Sequence, residues 1–324
     1  MEAELVRELP TAGGWQYEPK WDGFRGVVEN LDGQLRIWSR NARPLLRYFP
    51  ELRALGERLP PESALDGEIV IEREGRLDFD AMQTRLHPAE SRIRRLSAEI
   101  PAMYVAFDVL LLAGSETWRL PLEDRRRQLE TLPVLRSPET HDSEVAAAWL
   151  ARLEATGFDG VIAKRLGVPY QPGSRDAVQK VKAHKSAECV LIGVRLAESD
   201  GRLATLLLGL HDDEGELRYV GSAAVAPSKE QEIRVLIDPL LLDAPDRRFS
   251  EPNRWGGGEL AEMPVRPELV VEVRYDKWQG MRFRHGTRLL RFRPDKAVSA
   301  CTVGQVDLHP GPGDPTVTSL LAAD

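Results

Sequence analysis

Lys20-Trp21-Asp22-Gly23-Phe24-Arg25, preceded by Tyr17-Glu18-Pro19, is the stretch on which the reading of this chain turns. It reads K-x-D-G-x-R on a strand-to-turn segment, with a lysine beside an aspartate and an arginine. Such a lysine suits a nucleophile that attacks a nucleoside triphosphate, taking the nucleotide as a phosphoramide and expelling pyrophosphate. The amine must be deprotonated to react, which neighbouring cations or partial burial would bring about. The plain alternative is an exposed lysine ahead of an Asp-Gly turn. The hexapeptide alone does not decide between them, and the motifs downstream of it in the chain carry weight.

The chain has 324 residues, enough for two domains. Charged residues make up 29% and the hydrophobic set 42%, an ordinary globular composition. No stretch is apolar for long enough to span a bilayer, and Met1-Glu2-Ala3-Glu4 lacks the basic-then-apolar order of a signal peptide, so a cytoplasmic protein with no membrane partner is expected. Cys189 and Cys301 form no metal or redox spacing and read as reduced, buried thiols. The net charge of −7 argues against nucleic acid, but the distribution matters more than the sum. Lys164 to Lys185 and Arg282 to Lys296 each hold six basic residues against one acid, Asp176 and Asp295 respectively. Local basic faces on an acidic body suit phosphate binding and equally suit solvated surface.

The first 184 residues mix strands and helices. Gly26 to Leu31 and Leu35 to Ser39 predict a hairpin turning through Asp32-Gly33. Tyr48 to Leu59, Leu122 to Leu132 and Glu144 to Thr156 predict helices, the last capped by Asp142 or Ser143. Ala64 to Glu72, Tyr104 to Leu112, Gly160 to Lys164 and Ala177 to Lys182 predict strands. This irregular interleaving suits an α+β domain with antiparallel sheets over residues 1–184. From about His184 the pattern turns to strand: Cys189 to Leu196, Leu203 to His211, Leu217 to Val225 and Leu269 to Tyr275. One helix interrupts them, with Ser228-Lys229-Glu230-Gln231 as a capping box. About five strands with one inserted helix outline an OB-fold β-barrel over residues 185–324. Gly256-Gly257-Gly258 reads as a connector in a polar loop.

Four further signals carry chemistry. Leu65-Asp66-Gly67-Glu68 is a second carboxylate-bearing turn. Ala106-Phe107-Asp108-Val109 places an aromatic before an acid in a buried strand. In Phe158-Asp159-Gly160-Val161-Ile162-Ala163-Lys164, an acid and a lysine bracket a strand. Lys180-Val181-Lys182 puts two lysines on one side of an extended segment, because side chains alternate. Each alone is weak: Phe107 suits a core, and the acids and lysines suit surface turns and a solvated strand.

In this order the motifs resemble the signature of the covalent nucleotidyltransferases, the polynucleotide ligases and mRNA capping enzymes. The chain is most similar to the small bacterial ATP-dependent DNA ligases of the LigC kind, related to the ligase module of LigD. Tyr17 to Lys20, Ser39-Arg40-Asn41, Arg47 to Leu52, His87 to Arg92, Val271 to Asp276 and Arg284 to Lys296 carry the likeness, which covers essentially the whole chain. The resemblance implies an ATP-grasp-like nucleotidyltransferase domain followed by an OB-fold barrel. It makes Lys20 the adenylated nucleophile and Glu18 a reader of the adenine amino group, since a carboxylate accepts from that amine whereas guanine offers a carbonyl there. Phe107 would stack on the purine, and Arg25 and Glu68 would hold the ribose and its neighbourhood. Lys164 would belong to the same nucleotide site. Asp159, with Glu68, would help bind magnesium or manganese. Lys180 and Lys182 would contact the α-phosphate. Arg40 and Arg175 would hold the 5′-phosphate of a nick. Arg293, Asp295 and Lys296 would orient the leaving pyrophosphate.

Two departures from the family pattern stand out. Asp159 replaces the usual glutamate of the fourth motif, and Val178 replaces a frequent aromatic in the fifth. No additional DNA-binding, zinc-finger, nuclease or primase-polymerase segment is expected in the chain, so nicked duplex DNA would be held by the two core domains of a monomer. A separate primase-polymerase repair protein is an expected associate. An RNA ligase, a GTP-using capping enzyme and a non-catalytic OB-fold nucleic-acid binder are the rivals. Glu18 and the last motif speak against capping, and retention of Lys20, Glu68, Asp159, Lys180 and Lys182 against mere binding.

Overall fold

The computed structural model describes residues 1–182, 185–197, 200–242, 262–284, 286–311 and 313–322. The expected loop at Gly256-Gly257-Gly258 lies outside them. The chain divides into two compact units, Met1–Ala183 with His309–Asp324, and His184–Leu308.

The first unit contributes strands β1 (Glu4–Val6), β2 (Trp15–Pro19), β3 (Phe24–Leu31), β4 (Gln34–Ser39), β5 (Ser63–Val70), β6 (Glu72–Arg73), β7 (Arg76–Leu77), β8 (Met103–Leu111), β9 (Val161–Arg165) and β10 (Val178–Val181). Its helices up to β10 are α1 (Leu55–Arg58), α2 (Phe79–Thr84), α3 (Glu90–Glu99), α4 (Leu122–Glu130) and α5 (Ser143–Arg152). Two four-stranded sheets organise it, ordered β1-β10-β9-β2 and β4-β3-β5-β8. The second is antiparallel throughout, whereas β1 runs parallel to β10. The β3–β4 hairpin turns where the sequence indicates, with Asp32 at φ 53° and Gly33 at φ 69°, the left-handed pair that a two-residue turn requires. Val28, Ile37, Leu65, Ile69 and Ala106 bury one face of this sheet against Phe49, Leu52, Leu55 and Leu129.

The helix expected over Tyr48 to Leu59 is broken. Leu46–Tyr48 and Pro50–Ala54 are 3-10 turns, and only α1 is α-helical. Pro50 forces the break: Phe49 leaves helical geometry at φ −129°, ψ 62°, as a residue before proline must. Helix α5 is capped as expected, the Asp142 side chain accepting from the Glu144 N–H.

The second unit holds β11 (Lys185–Leu196), β12 (Leu203–His211), β13 (Leu217–Ala224), α6 (Glu230–Ile237), β14 (Glu262–Pro264), β15 (Val270–Tyr275), β16 (Trp278–Gln279), β17 (Arg282–Phe283) and β18 (Thr287–Phe292). The sheet order is β12-β13-β18-β15-β11-β14, and β11 also pairs with β12. Five strands therefore close a ring, with β14 added along β11. The long β11 makes closure possible: its first half pairs with β15, and a register shift between Leu191 and Gly193 turns its second half onto β12 and β14. Cys189, Leu208, Val220, Val271 and Cys301 fill the barrel, so both cysteines are buried, unpaired thiols. The capping box at Ser228 does not form. Pro227 opens a 3-10 turn through Lys229, and Glu230 instead accepts from the Leu203 N–H and pairs with Arg234.

The strand-rich pattern suggests a second domain running to residue 324, but His309–Asp324 belongs to the first unit. Helix α7 (Val317–Leu321) carries Val317 and Leu320 into a cluster with Trp21, Leu77 and Phe158. The Val317 N–H donates to Gly75 O at 3.0 Å, and Arg152 pairs with Asp314 at 3.2 Å. Burial of two apolar side chains against β7 and the Lys20 turn outweighs chain proximity to the barrel.

Candidate active site

Lys20 follows β2 directly, and its backbone is tied to the segment that precedes β9. The Lys20 N–H donates to Gly160 O at 2.9 Å, and the Asp159 N–H donates to Lys20 O at 3.0 Å. This reciprocal pair makes the K-x-D-G and D-G-V-I motifs one structure. Two glycines permit the crowding. A Cβ at Gly23 would lie 2.0 Å from Ile69 O, and one at Gly160, whose φ is 120°, would lie 2.0 Å from Val181 O.

The side chains converge accordingly. Lys20 Nζ lies 2.7 Å from Asp159 Oδ2, and Lys182 Nζ lies 3.1 Å from the same oxygen. Burial acts to raise the Asp159 carboxyl, but the two ammonium groups hold it below its ordinary value. Lys180 shares the face of Lys182, with Val181 turned inward between them. Burial, with Lys20 and Lys182 nearby, lowers the Lys180 ammonium from its ordinary value. The result is a compact group of cations around a single carboxylate, the electrostatic form of a polyphosphate receptor.

The two sheets supply the rest. On β8, Ala106 and Asp108 are buried and Phe107 is partly buried; a register shift against β5 falls at Phe107, so that Ala106 lies opposite Gly67 and Asp108 opposite Asp66. The Phe107 ring is bracketed by cations: Lys164 Nζ lies 4.9 Å from its centroid, and the Arg25 guanidinium carbon 5.8 Å. Lys164 also donates to Phe107 O at 2.9 Å and pairs with Glu18 Oε1 at 2.6 Å. Arg25 is committed inside the protein. It meets Asp66 through Nε and Nη2 at 3.0 and 2.6 Å, Tyr170 Oη at 3.0 Å and Met1 O at 2.8 Å. Burial works against that charge, but the Asp66 carboxylate more than offsets it and raises the Arg25 pKa. Arg125 clasps Asp108, the neighbour of Phe107 on β8, at 2.7 and 2.9 Å. Glu68 keeps some surface, yet enough protein surrounds it that burial pushes its carboxyl up to about 8, against the pull of Lys20 and Arg25.

Arg40 and Arg175 come from separate loops onto one carboxylate, Glu2, at 3.0 Å and 2.9 Å. On the barrel, Arg293 is gripped by Asp295 through both Nε and Nη2 at 2.9 and 2.7 Å and also bonds Glu188. Lys296 takes the other Glu188 oxygen at 2.9 Å. Among the described residues no group of three or more His, Cys, Asp or Glu is gathered for a metal. Asp159 nevertheless suits magnesium, which is commonly held by one or two carboxylates together with substrate phosphates and water.

Gln16, Arg125, Tyr170 and, in its contact with Arg25, Asp66 are partners of these side chains in the first unit, and Glu188 is the partner of Arg293 and Lys296 in the second; the sequence motifs reveal none of these contacts. Gln16 is in principle findable, since it alternates with Glu18 on β2. Tyr170 reaches Asp66 from a loop more than a hundred residues away in sequence, at 2.7 Å, and no local pattern signals it.

Residues 3–182 match the ATP dependent DNA ligase domain, and residues 199–296 match the ATP dependent DNA ligase C terminal region. This chain belongs to the ATP-dependent DNA ligases. DNA ligase C2 of Mycolicibacterium smegmatis is 39% identical over 96% of this ligase and 94% of its own length. The multifunctional non-homologous end joining DNA repair protein LigD of Mycobacterium tuberculosis (strain CDC 1551 / Oshkosh) is 33% identical over 89% of this ligase but only 37% of that longer protein. A Lig E DNA ligase shares the fold at a TM-score of 0.54 and 15% identity, covering 90% of this ligase and 100% of that chain. The enzyme class, its use of ATP and the pairing of a nucleotidyltransferase domain with an OB-fold domain are thereby shown. Among the described residues, no helix is long and apolar enough to cross a membrane.

Proposed function

We propose that this ligase seals a 3′-hydroxyl/5′-phosphate nick in duplex DNA through an adenylate carried on Lys20. The observation that carries the reading is the Lys20–Asp159–Lys182 arrangement, with Lys20 Nζ 2.7 Å from the carboxylate that also receives Lys182. Lys20, once it has lost its ammonium proton, attacks the α-phosphorus of ATP; the N–P bond forms and the P–O bond to pyrophosphate breaks. A 5′-phosphate oxygen of the nick then attacks the adenylate phosphorus and releases Lys20. Finally the 3′-hydroxyl attacks the 5′-phosphorus and AMP leaves.

Lys180 and Lys182 offset charge at the α-phosphate in each transfer. Phe107 stacks on adenine, Glu18 accepts from its amino group, and Lys164 holds both in register. Arg25 acts on the nucleotide through its face beside Phe107, because its nitrogens are taken up by Asp66, Tyr170 and Met1. Asp159, with Glu68, would hold magnesium or manganese, which supplies positive charge at the phosphates. Arg40 and Arg175 take the 5′-phosphate in exchange for the Glu2 carboxylate they now share. Arg293, Asp295 and Lys296 act on the departing pyrophosphate. A monomer working in the bacterial cytoplasm beside a separate primase-polymerase in repair fits the kinship with LigD.

Incubation of a labelled nicked duplex with ATP, GTP or NAD tests this reading. Sealing with ATP alone, lost in Lys20→Ala, is expected. Sealing by Lys20→Ala, or equal sealing of an all-RNA nick, would overturn it in its nucleophile or in its substrate.

A further inference from the structure

Gln16 is fully enclosed, and its role is not explained by packing of apolar surface. It stands on β2 two residues before Glu18, on the same face, and directly opposite Lys164 in the β2–β9 register. Its side-chain amide donates to Glu18 Oε1 at 2.8 Å, and Lys164 Nζ reaches that same oxygen at 2.6 Å. Two buried donors therefore converge on one oxygen of a buried carboxylate. Both contacts fall on Oε1 and neither on Oε2. Lys164 is fixed in turn by Phe107 O at 2.9 Å and lies over the Phe107 ring.

The chemistry of this arrangement is directional. A carboxylate held by one flexible lysine can rotate and offer either oxygen. A second donor, planar and anchored on the same strand, fixes which oxygen is spent inside the protein and which faces a ligand. Lys164 cancels the carboxylate charge without occupying Oε2, so the site presents a neutralised, oriented acceptor beside an aromatic face. Such an acceptor rewards an exocyclic amine and penalises a carbonyl at the same position, because two facing acceptors leave both unpaired.

We infer that Gln16 is a positioning residue for base selection: it locks Glu18 so that Oε2 accepts the 6-amino group of adenine, and it thereby sets the preference for ATP over 6-oxopurine triphosphates. The inference rests on the reading of Glu18 as the contact to that amine.

The test is self-adenylation or self-inosinylation with ATP and inosine triphosphate, which differ at the purine 6-position by amine against carbonyl. Gln16→Met fills about the same volume and removes the amide, including the N–H that reaches Glu18. The expected result is a KM for ATP raised about tenfold with kcat changed less than about threefold, and an ATP-to-inosine-triphosphate preference reduced about tenfold, in line with the loss of a charged hydrogen bond's orientation. Glu18→Ala run in parallel separates the two claims. If Glu18→Ala leaves the preference unchanged, the reading of Glu18 fails. If Glu18→Ala collapses the preference and Gln16→Met keeps it, the reading of Glu18 stands and the role of Gln16 is overturned. Should Gln16→Met not yield folded protein, Gln16→Ala carries the same measurement, and failure of both to fold would overturn the proposal by making Gln16 structural.

Discussion

Replacing Phe107 by alanine separates nucleotide recognition from packing more cleanly than any other change at this site. A phenylalanine in a filled core costs about 3–5 kcal/mol when truncated. Phe107 is not in such a place. It is only partly buried, lies at a register shift of β8 and belongs to no apolar core cluster, and its ring meets the two cations at 4.9 and 5.8 Å. Its loss to the folded protein is therefore those cation–ring contacts, about 0.5–1 kcal/mol each at a partly exposed site. In a unit of this size, a loss of about 1–2 kcal/mol lowers the melting temperature by roughly 2–8 °C. The loss to adenine stacking is about 1–3 kcal/mol, which is roughly 5- to 150-fold in apparent ATP affinity. The assay pairs thermal melting of the ATP-free protein with the ATP dependence of self-adenylation. Phe107→Ala should raise the KM for ATP strongly with a modest fall in melting temperature, and Phe107→Tyr should nearly restore both. A fall beyond about 10 °C with KM changed less than about twofold would instead make the ring a core residue with no part in nucleotide binding.

Arg293→Ala should block adenylation by ATP yet still seal a nick supplied already adenylated, because pyrophosphate is present only in the first step; equal loss of both activities in folded protein would reassign Arg293 to DNA binding or structure. Glu68→Gln should stabilise the metal-free, ATP-free protein at pH 8.5 and much less at pH 5. The Glu68 carboxyl is raised by burial to about 8, so the folded state holds a proton that the unfolded state has released, and stability falls as pH rises from about 4.3 towards 8. The ionised side chain then costs on the order of 3–5 kcal/mol, which glutamine removes. A lower melting temperature for Glu68→Gln at both pH values would contradict this.

The parts of this enzyme visible in its sequence are those set by local chemistry. Asp32-Gly33 specifies a turn because only such residues sit easily at positive φ. The alternation in Lys180-Val181-Lys182 specifies a shared face, and Asp142 specifies a cap. The Tyr48 to Leu59 segment misleads because its apolar spacing suits a helix, while the geometry of Pro50 prevails in the chain. Ser228 misleads because a local capping pattern competes with tertiary demand, and Glu230 is drawn to the Leu203 N–H instead. The return of α7 to the first unit depends on Val317 and Leu320 meeting Trp21 and Phe158, a long-range burial that no local pattern encodes. The same holds for the Arg25–Asp66–Tyr170 network and for the pairing of Arg40 and Arg175 through Glu2. The motifs name the reactive groups, but the buried partners that orient them come from distant strands and loops.

Everything proposed for this enzyme depends on Lys20 carrying the nucleotide. The most direct measurement is intact-mass analysis after incubation with ATP and a divalent cation, followed by peptide mapping under conditions that preserve a phosphoramide. The expected result is a mass increase of one AMP, located on Lys20, discharged by nicked DNA and by pyrophosphate. An adduct on Lys164, Lys180 or Lys182, or a Lys20→Ala protein that still acquires AMP, would contradict it.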